Sequence, residues 1–206
     1  MISMSKGFLL IISGPAGTGK GTVCKELLKR NKDIVFSVSA TTRQPRVGEV
    51  DGLNYYFVTK DKFESMIEKD EFLEYAYVHT NYYGTPKEFV MNQIEKGEIV
   101  LLEIDVQGAL QVKKNFSEAV FIFLLPPTME ELKNRIINRG TETEEDINRR
   151  YENAFKELDF VGNYDYFVIN DVVEDAVLDI EAIIKAEKLR VKRHSDIKNK
   201  VLKGGK

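Results

Sequence analysis

The stretch Gly14-Pro15-Ala16-Gly17-Thr18-Gly19-Lys20-Gly21-Thr22 constrains this chain more than any other. It follows the apolar run Phe8 to Ile12 directly and opens the amphipathic segment Thr22 to Lys29, so a buried strand passes into a helix through a glycine-rich turn. Glycines let the backbone turn sharply and aim successive N–H groups inward, the helix presents its positive end, and Lys20 adds a mobile point charge. That combination cradles phosphate and does nothing for an uncharged ligand. One position departs from the usual pattern. Gly21 stands where a hydroxyl would ligate magnesium, and the hydroxyl arrives one residue later as Thr22.

The rest of the chain repeats the strand-then-helix rhythm. Val35 to Ser39, Ile99 to Ile104, Val120 to Leu125 and Tyr166 to Ile169 are short runs rich in β-branched or aromatic residues, and they read as further buried strands. Helices are expected over Pro86 to Lys96, Thr128 to Asn138, Glu144 to Leu158 and Val173 to Arg193, with Thr128 and Thr143 as N-caps before acidic first turns. The pattern predicts an α/β fold with a central parallel sheet flanked by helices. Residues 40–95 break it. They hold Gly48, Gly52 and Gly84 with tyrosines at 55, 56, 75, 77, 82 and 83, which predicts an inserted subdomain with its own short strands. The polar stretch Asn138 to Thr143 predicts a mobile lid spanning about 138–150. Both lie near strand ends, where ligands bind in such sheets.

Length and charge narrow the setting. The 206 residues fit one domain, and the chain lacks the run of about 18 apolar residues that a membrane-crossing helix needs. Met1 to Lys6 is too short to be a cleaved signal, so a cytoplasmic location is expected. Cys24 has no partner cysteine and reads as a small buried side chain rather than a reactive thiol. The net charge of −3 hides an asymmetry, since residues 185–206 carry +7 and the remainder −10. No aromatic residues interleave the lysines of that tail for base stacking, so a solvated terminal helix fraying at Gly204-Gly205 is expected, and nucleic acid is not. His79 and His194 sit in no catalytic pattern, and His79 reads as a surface or loop residue.

A second anion receptor follows the second strand. Arg43 and Arg46 lie three residues apart across Pro45, with Glu49 after Gly48, and guanidinium forks on a rigid turn suit a phosphate dianion. Tyr55 and Tyr83 offer hydroxyl donors to the same phosphate. Asp105, at the end of the apolar run Ile99 to Ile104, is placed either to hold a hydrated magnesium ion or to cap the turn at Gln107-Gly108.

Seven segments together resemble the guanylate kinase family: GPAGTGKGT, SVSATTRQPRVGEVDGLNYYFV, EFLEYA, NYYGTP, LLEIDVQGA, FIFLLPP and NRGTETEEDINRR stand in that family's order and spacing over nearly the whole chain. The resemblance implies a P-loop nucleoside monophosphate kinase-like fold with a GMP-binding insert and a mobile lid. It implies transfer of the γ-phosphoryl of ATP to GMP, with Mg2+ as cofactor and ATP and GMP as substrates. Residues 6–186 would form the kinase domain, with core 6–39 and 96–186, insert 40–95 and basic tail 187–206. It assigns Ser39, Arg43, Arg46, Glu49, Tyr55, Glu74, Tyr83, Thr85 and Glu103 to GMP, and Gly14 to Thr22 with Asn170 to ATP. It makes Lys20, Arg43, Arg135, Arg139 and Arg150 catalytic, with Asp105 and Thr22 on the metal side. Glu103 stands where the family often has aspartate.

The chemistry agrees with the assignment. Guanine presents adjacent N1–H and N2–H donors that a carboxylate such as Glu74 accepts together, whereas adenine offers a lone pair at N1 that a carboxylate repels. A nucleotide phosphate is already an anionic nucleophile, so no general base is needed. Two alternatives stay open at this point: a catalytically inactive binding module on the same fold, and a kinase for another nucleoside monophosphate. Use of dGMP, and whether the chain is a monomer or a homodimer, are not fixed by these residues.

Overall fold

The computed structural model describes residues 7–78, 80–138, 144–194 and 197–202. The chain runs through β1 (Phe8–Ser13), α1 (Lys20–Arg30) and β2 (Ile34–Phe36), then enters an inserted lobe of β3 (Ala40–Thr41), β4 (Tyr56–Phe57), α2 (Lys60–Glu68), β5 (Phe72–Val78) and β6 (Asn81–Pro86). It returns through α3 (Lys87–Glu95), β7 (Ile99–Glu103), α4 (Val106–Asn115), β8 (Val120–Leu125), α5 (Met129–Ile137), α6 (Glu144–Glu157), β9 (Tyr166–Ile169), α7 (Val173–Lys188) and α8 (Ile197–Leu202).

Strand β1 is buried along its whole length, so both of its faces must be covered, and the sheet is built around it. The order is β2-β7-β1-β8-β9 with every pair parallel. Successive side chains divide between two cores. Leu10, Ile12, Leu101, Ile122 and Leu124 pack with Val23, Cys24 and Leu27 of α1 and Ala176, Val177 and Ile180 of α7. Leu9, Ile11, Val100, Leu102 and Phe121 pack with Val90 and Ile94 of α3 and Ala109 and Val112 of α4. Each Val, Leu, Ile or Phe among them contributes about 1.5–3 kcal/mol on burial, which is what holds the strand ends, and therefore the loops after them, in place. The switch point lies between β1 and β7, because the chain leaves β1 toward β2 at one edge of the sheet and leaves β7 toward β8 on the other side. The loops after β1 and β7 open there side by side.

The insert folds around its own apolar cluster. Its sheet is ordered β4-β3-β6-β5, and Phe63 of α2 stacks on Phe72 and Tyr82 with ring centroids 4.3 and 5.1 Å apart.

Several expectations need correction. Helix α2 was not expected in the insert, nor α4 after β7. The signal for α4 was present, since Val106, Ala109 and Val112 recur every three residues behind the Asp105 cap. The helix beginning near Pro86 packs on the core sheet through Val90 and Ile94. The second strand is shorter than Val35 to Ser39, and the Ser37 N–H makes the last bond to its neighbour, Leu101 O, at 2.9 Å. The long final helix stops at Lys188 instead of running to Arg193. Thr128 caps α5 as expected, whereas Thr143, His79 and Gly204-Gly205 lie outside the described residues.

The stop at Lys188 has a physical cause. Glu187 is fully buried, and its carboxylate accepts from Tyr166 Oη at 2.7 Å, Arg190 Nη1 at 3.1 Å and Arg193 Nη2 at 2.8 Å. To reach it the two arginines must turn back, and Arg193 then lies over the Phe8 ring, 4.3 Å from its centroid. The start of the basic tail is thus a clasp on the sheet, not a solvated helix. Removing one partner of a buried ionic cluster strands the others, so Glu187→Ala should cost about 3 kcal/mol. For a chain of this size that lowers the melting temperature by roughly 6–12 °C, and a calorimetric shift under about 2 °C would show that the clasp holds nothing.

Candidate active site

The turn after β1 wraps as a phosphate cradle should. Gly14, Gly17 and Gly19 adopt φ of 143°, 93° and 87°, conformations closed to most side chains. Thr18 ties the loop internally, its Oγ1 donating to Pro15 O at 2.9 Å. Leu132 and Ile136 of α5 press so closely on the loop that a Cβ on Gly17 would stand 3.0 Å from each. Lys20 folds back over the loop, its Nζ donating to Gly14 O at 2.6 Å and Pro15 O at 3.1 Å. Burial pulls the Lys20 pKa down, and the carboxylates of Glu103, Glu157 and Asp105 oppose that shift. The ammonium is therefore short of solvation, and an incoming phosphate would supply it.

Asn170, at the end of β9, stands behind the same loop. Its Nδ2 donates to Thr18 O at 2.7 Å, and its backbone carbonyl accepts from Arg135 Nη1 at 2.9 Å. Arg135 also bonds Glu131 at 2.8 Å. Asn170 Oδ1 is buried with no hydrogen-bond partner among the described residues. Cys24 is buried on the core-facing side of α1, and burial raises its thiol pKa, which agrees with an inert side chain.

Across the switch point a cavity of about 290 Å³ opens between the core and the insert, lined among others by Ser39, Tyr55, Glu74, Tyr83, Glu103 and Asp105. Six of the residues expected on the acceptor and metal side therefore share one space. A register shift between Phe72 and Glu74 tips Glu74 into it. Thr85, opposite on β6, donates to Glu74 Oε1 at 2.6 Å. The first turn of α4 backs the carboxylate so closely that a Cβ on Gly108 would come 3.1 Å from Oε2. Burial pushes the Glu74 pKa up to about 7; the Thr85 bond opposes this and Asp105 adds to it. A carboxylate this starved of donors is a strong receptor for paired N–H groups.

Arg43 and Arg46 are not the free pair that their spacing suggests. The Arg43 fork is met by both oxygens of Glu49, at 3.0 and 2.9 Å, and Glu49 also accepts the Arg46 N–H at 2.8 Å. Those bonds hold the Glu49 pKa down, the Arg43 bond foremost. Arg43 further bonds Tyr83 and lies 5.5 Å from the Tyr55 ring centroid, so fork and hydroxyls are gathered at one end of the cavity. Glu49 orients the receptor from behind, and the Arg46 residue is exposed.

On the metal side, Asp105 Oδ1 accepts the Gly108 N–H at 2.8 Å, so the capping role weighed from sequence is present. No group of three metal-ligating side chains occurs among the described residues. A Cβ on Gly21 would stand 3.6 Å from Glu103 Oε1, so Glu103 covers the place where the loop hydroxyl usually sits. This sparse donor set suits a magnesium ion that stays hydrated and bound mainly to nucleotide phosphates, and Thr22 is exposed on the first turn of α1. Arg150 lies on α6, and Arg139 lies outside the described residues. Sequence reading missed Glu157, which bears on Lys20, and Tyr164, whose Oη donates to Ser13 Oγ at 3.0 Å. Neither belongs to a motif with a recognisable spacing.

Comparison with known proteins agrees with this geometry. A family model described as guanylate kinase matches residues 6–187. The guanylate kinase of Clostridium tetani is 61% identical over 193 residues, 94% of this chain and 92% of that protein. That of Caldanaerobacter subterraneus subsp. tengcongensis is 58% identical over 95% of both. The crystal structure of guanylate kinase from Anaplasma phagocytophilum superposes with a TM-score of 0.74 at 35% identity, covering 92% of this chain and 90% of that one. The paired cavity and phosphate loop, the parallel sheet that positions them and these matches agree: the chain belongs to the guanylate kinase family.

Proposed function

We infer that this chain transfers the γ-phosphoryl of ATP to GMP, giving ADP and GDP. The observation that carries the choice of acceptor is the buried Glu74 carboxylate beside Thr85, on the opposite side of the switch point from the phosphate loop. Guanine offers Glu74 two adjacent N–H donors, while Ser39 and Thr85 serve its remaining polar edge. Arg43, Arg46, Tyr55 and Tyr83 hold the GMP phosphate, with Glu49 orienting Arg43 and Glu103 completing that side.

Residues Gly14 to Thr22 take the ATP phosphates on backbone N–H groups, and Asn170 Oδ1 accepts from the adenine amino group. Lys20, Arg135, Arg139 and Arg150 neutralise charge that spreads over the transferring phosphoryl group. Mg2+, when bound near Asp105 and Thr22, supplies further neutralisation at the phosphate oxygens. The chain's own work is alignment and charge compensation, because the GMP phosphate attacks as an anion. Both half-sites come from one chain, so the reading holds for a monomer or a homodimer. It places the enzyme in the cytoplasm, where its nucleotide substrates are. No helix among the described residues is long and apolar enough to cross a membrane.

A coupled assay with ATP, magnesium and each nucleoside monophosphate in turn tests the reading. GMP should be turned over at least about a hundredfold better than AMP, since the wrong base leaves the Glu74 carboxylate unpaired. Turnover of AMP or dTMP without GMP would overturn it, and dGMP in the same series reports whether the 2′-hydroxyl matters.

A further inference from the structure

A peptide unit that aims its N–H into a phosphate cradle must aim its C=O away, because the two point in opposite directions across a trans bond. No cis peptide occurs among the described residues. The Thr18 carbonyl therefore points to the back of the loop when the Gly19 N–H points forward. Thr18 is fully buried, so water cannot satisfy that carbonyl, and a buried acceptor without a donor is unfavourable. Asn170 provides the donor through Nδ2 at 2.7 Å. The same nitrogen lies 2.4 Å from where a Cβ on Gly19 would stand, so Gly19 clears the space that the amide occupies.

Asn170 is well placed to hold the loop still. It is 3% exposed, its N–H donates to Leu125 O at 2.8 Å, and its carbonyl is taken by Arg135 at 2.9 Å. The amide thus stands on the ends of two neighbouring strands and is braced by a side chain from α5. Its orientation is fixed as well, since only Nδ2 can donate to a carbonyl and Oδ1 must face the other way.

We propose that Asn170 is a positioning residue whose side-chain amide sets the Thr18–Gly19 peptide and so aims the Gly19 N–H at the donor phosphates. This goes beyond the contact with adenine assigned above. Oδ1 acts on the base and Nδ2 acts on the loop, so the residue couples recognition of the base to the readiness of the phosphate cradle. Asparagine is suited to the two jobs because it carries a donor and an acceptor on one rigid plane. Aspartate at this position would set an acceptor against the Thr18 carbonyl, and alanine would leave that carbonyl unsatisfied.

The deciding measurement uses a ligand with no base. Binding of inorganic tripolyphosphate, followed by calorimetry on the full chain, should weaken about tenfold in Asn170→Ala and at least as much in Asn170→Asp, because one buried hydrogen bond to the loop is lost. GMP affinity should stay unchanged. Amide exchange at Gly17 to Gly19 should quicken relative to Leu9 to Ile12, a change that loss of a base contact does not produce. Tripolyphosphate affinity within about twofold of the parent, with ATP affinity reduced, would overturn the proposal and leave Asn170 a base contact only. If Asn170→Ala does not fold, Asn170→Ser carries the same comparison with the same two outcomes. The reading rests on a phosphate-binding role for the loop, yet failure of the ATP:GMP assay would leave this binding comparison readable on its own.

Discussion

Lys20→Ala should reduce phosphoryl transfer by about a thousandfold or more while GMP affinity, measured by calorimetry, changes by less than about twofold. The reason lies in where the ammonium sits. Lys20 Nζ is held against Gly14 O and Pro15 O, with Glu103, Glu157 and Asp105 within electrostatic reach, at the mouth of the loop that takes the donor phosphates. On the proposed reading it neutralises charge that shifts during transfer, and the truncated side chain leaves that charge facing carboxylates. The GMP cavity is lined by Ser39, Tyr55, Glu74 and Tyr83 and does not include Lys20, so acceptor binding has no reason to follow. Lys20→Arg should rescue little, since a planar fork cannot reproduce a point charge bonded to two carbonyls at 2.6 and 3.1 Å. Loss of GMP affinity with turnover intact would assign Lys20 to the wrong half of the site.

The glycine-rich turn between β1 and α1 was legible because its conformation is set locally. Glycines, a lysine and the strand before them are contiguous, and the physics of a phosphate loop acts between residues a few positions apart. The central sheet was legible for a related reason: a strand buried on both faces must be apolar throughout, as Phe8–Ser13 nearly is. What escaped sequence reading depends on partners far along the chain. Glu187 looks like any charge in a basic helix until Tyr166, Arg190 and Arg193 close around it, and that closure is what ends α7. The Arg43–Glu49 pairing was hidden in another way. Both residues were singled out for the ligand, and nothing in their spacing said that they would engage each other first. The double task of Asn170 needed the loop in three dimensions, since Thr18 and Asn170 are 152 positions apart.

Glu74→Gln should make the empty protein more stable at alkaline pH and nearly useless with GMP. Glu74 has a folded-state pKa of about 7 against an ordinary 4.5, so between those values the folded chain holds a proton that the unfolded chain has released. Stability from this group is therefore greatest at acid pH and is lost as the pH rises through about 7. The gap corresponds to roughly 3 kcal/mol carried as a penalty at pH 8, and a neutral glutamine escapes most of it. The expected result is a melting temperature several degrees above the parent at about pH 8, converging with it near pH 5. Activity moves the other way. The glutamine amide sets a donor against the N–H donors of guanine, so kcat/KM for GMP should fall by about a thousandfold or more, with the KM for ATP within about twofold. Equal losses on both substrates would show that Glu74 does not read the base. Opposite movement of stability and turnover separates this outcome from unfolding, because a variant inactivated by disorder melts earlier. The carboxylate is kept buried, poorly solvated and costly so that guanine, which brings two donors at once, gains most by entering.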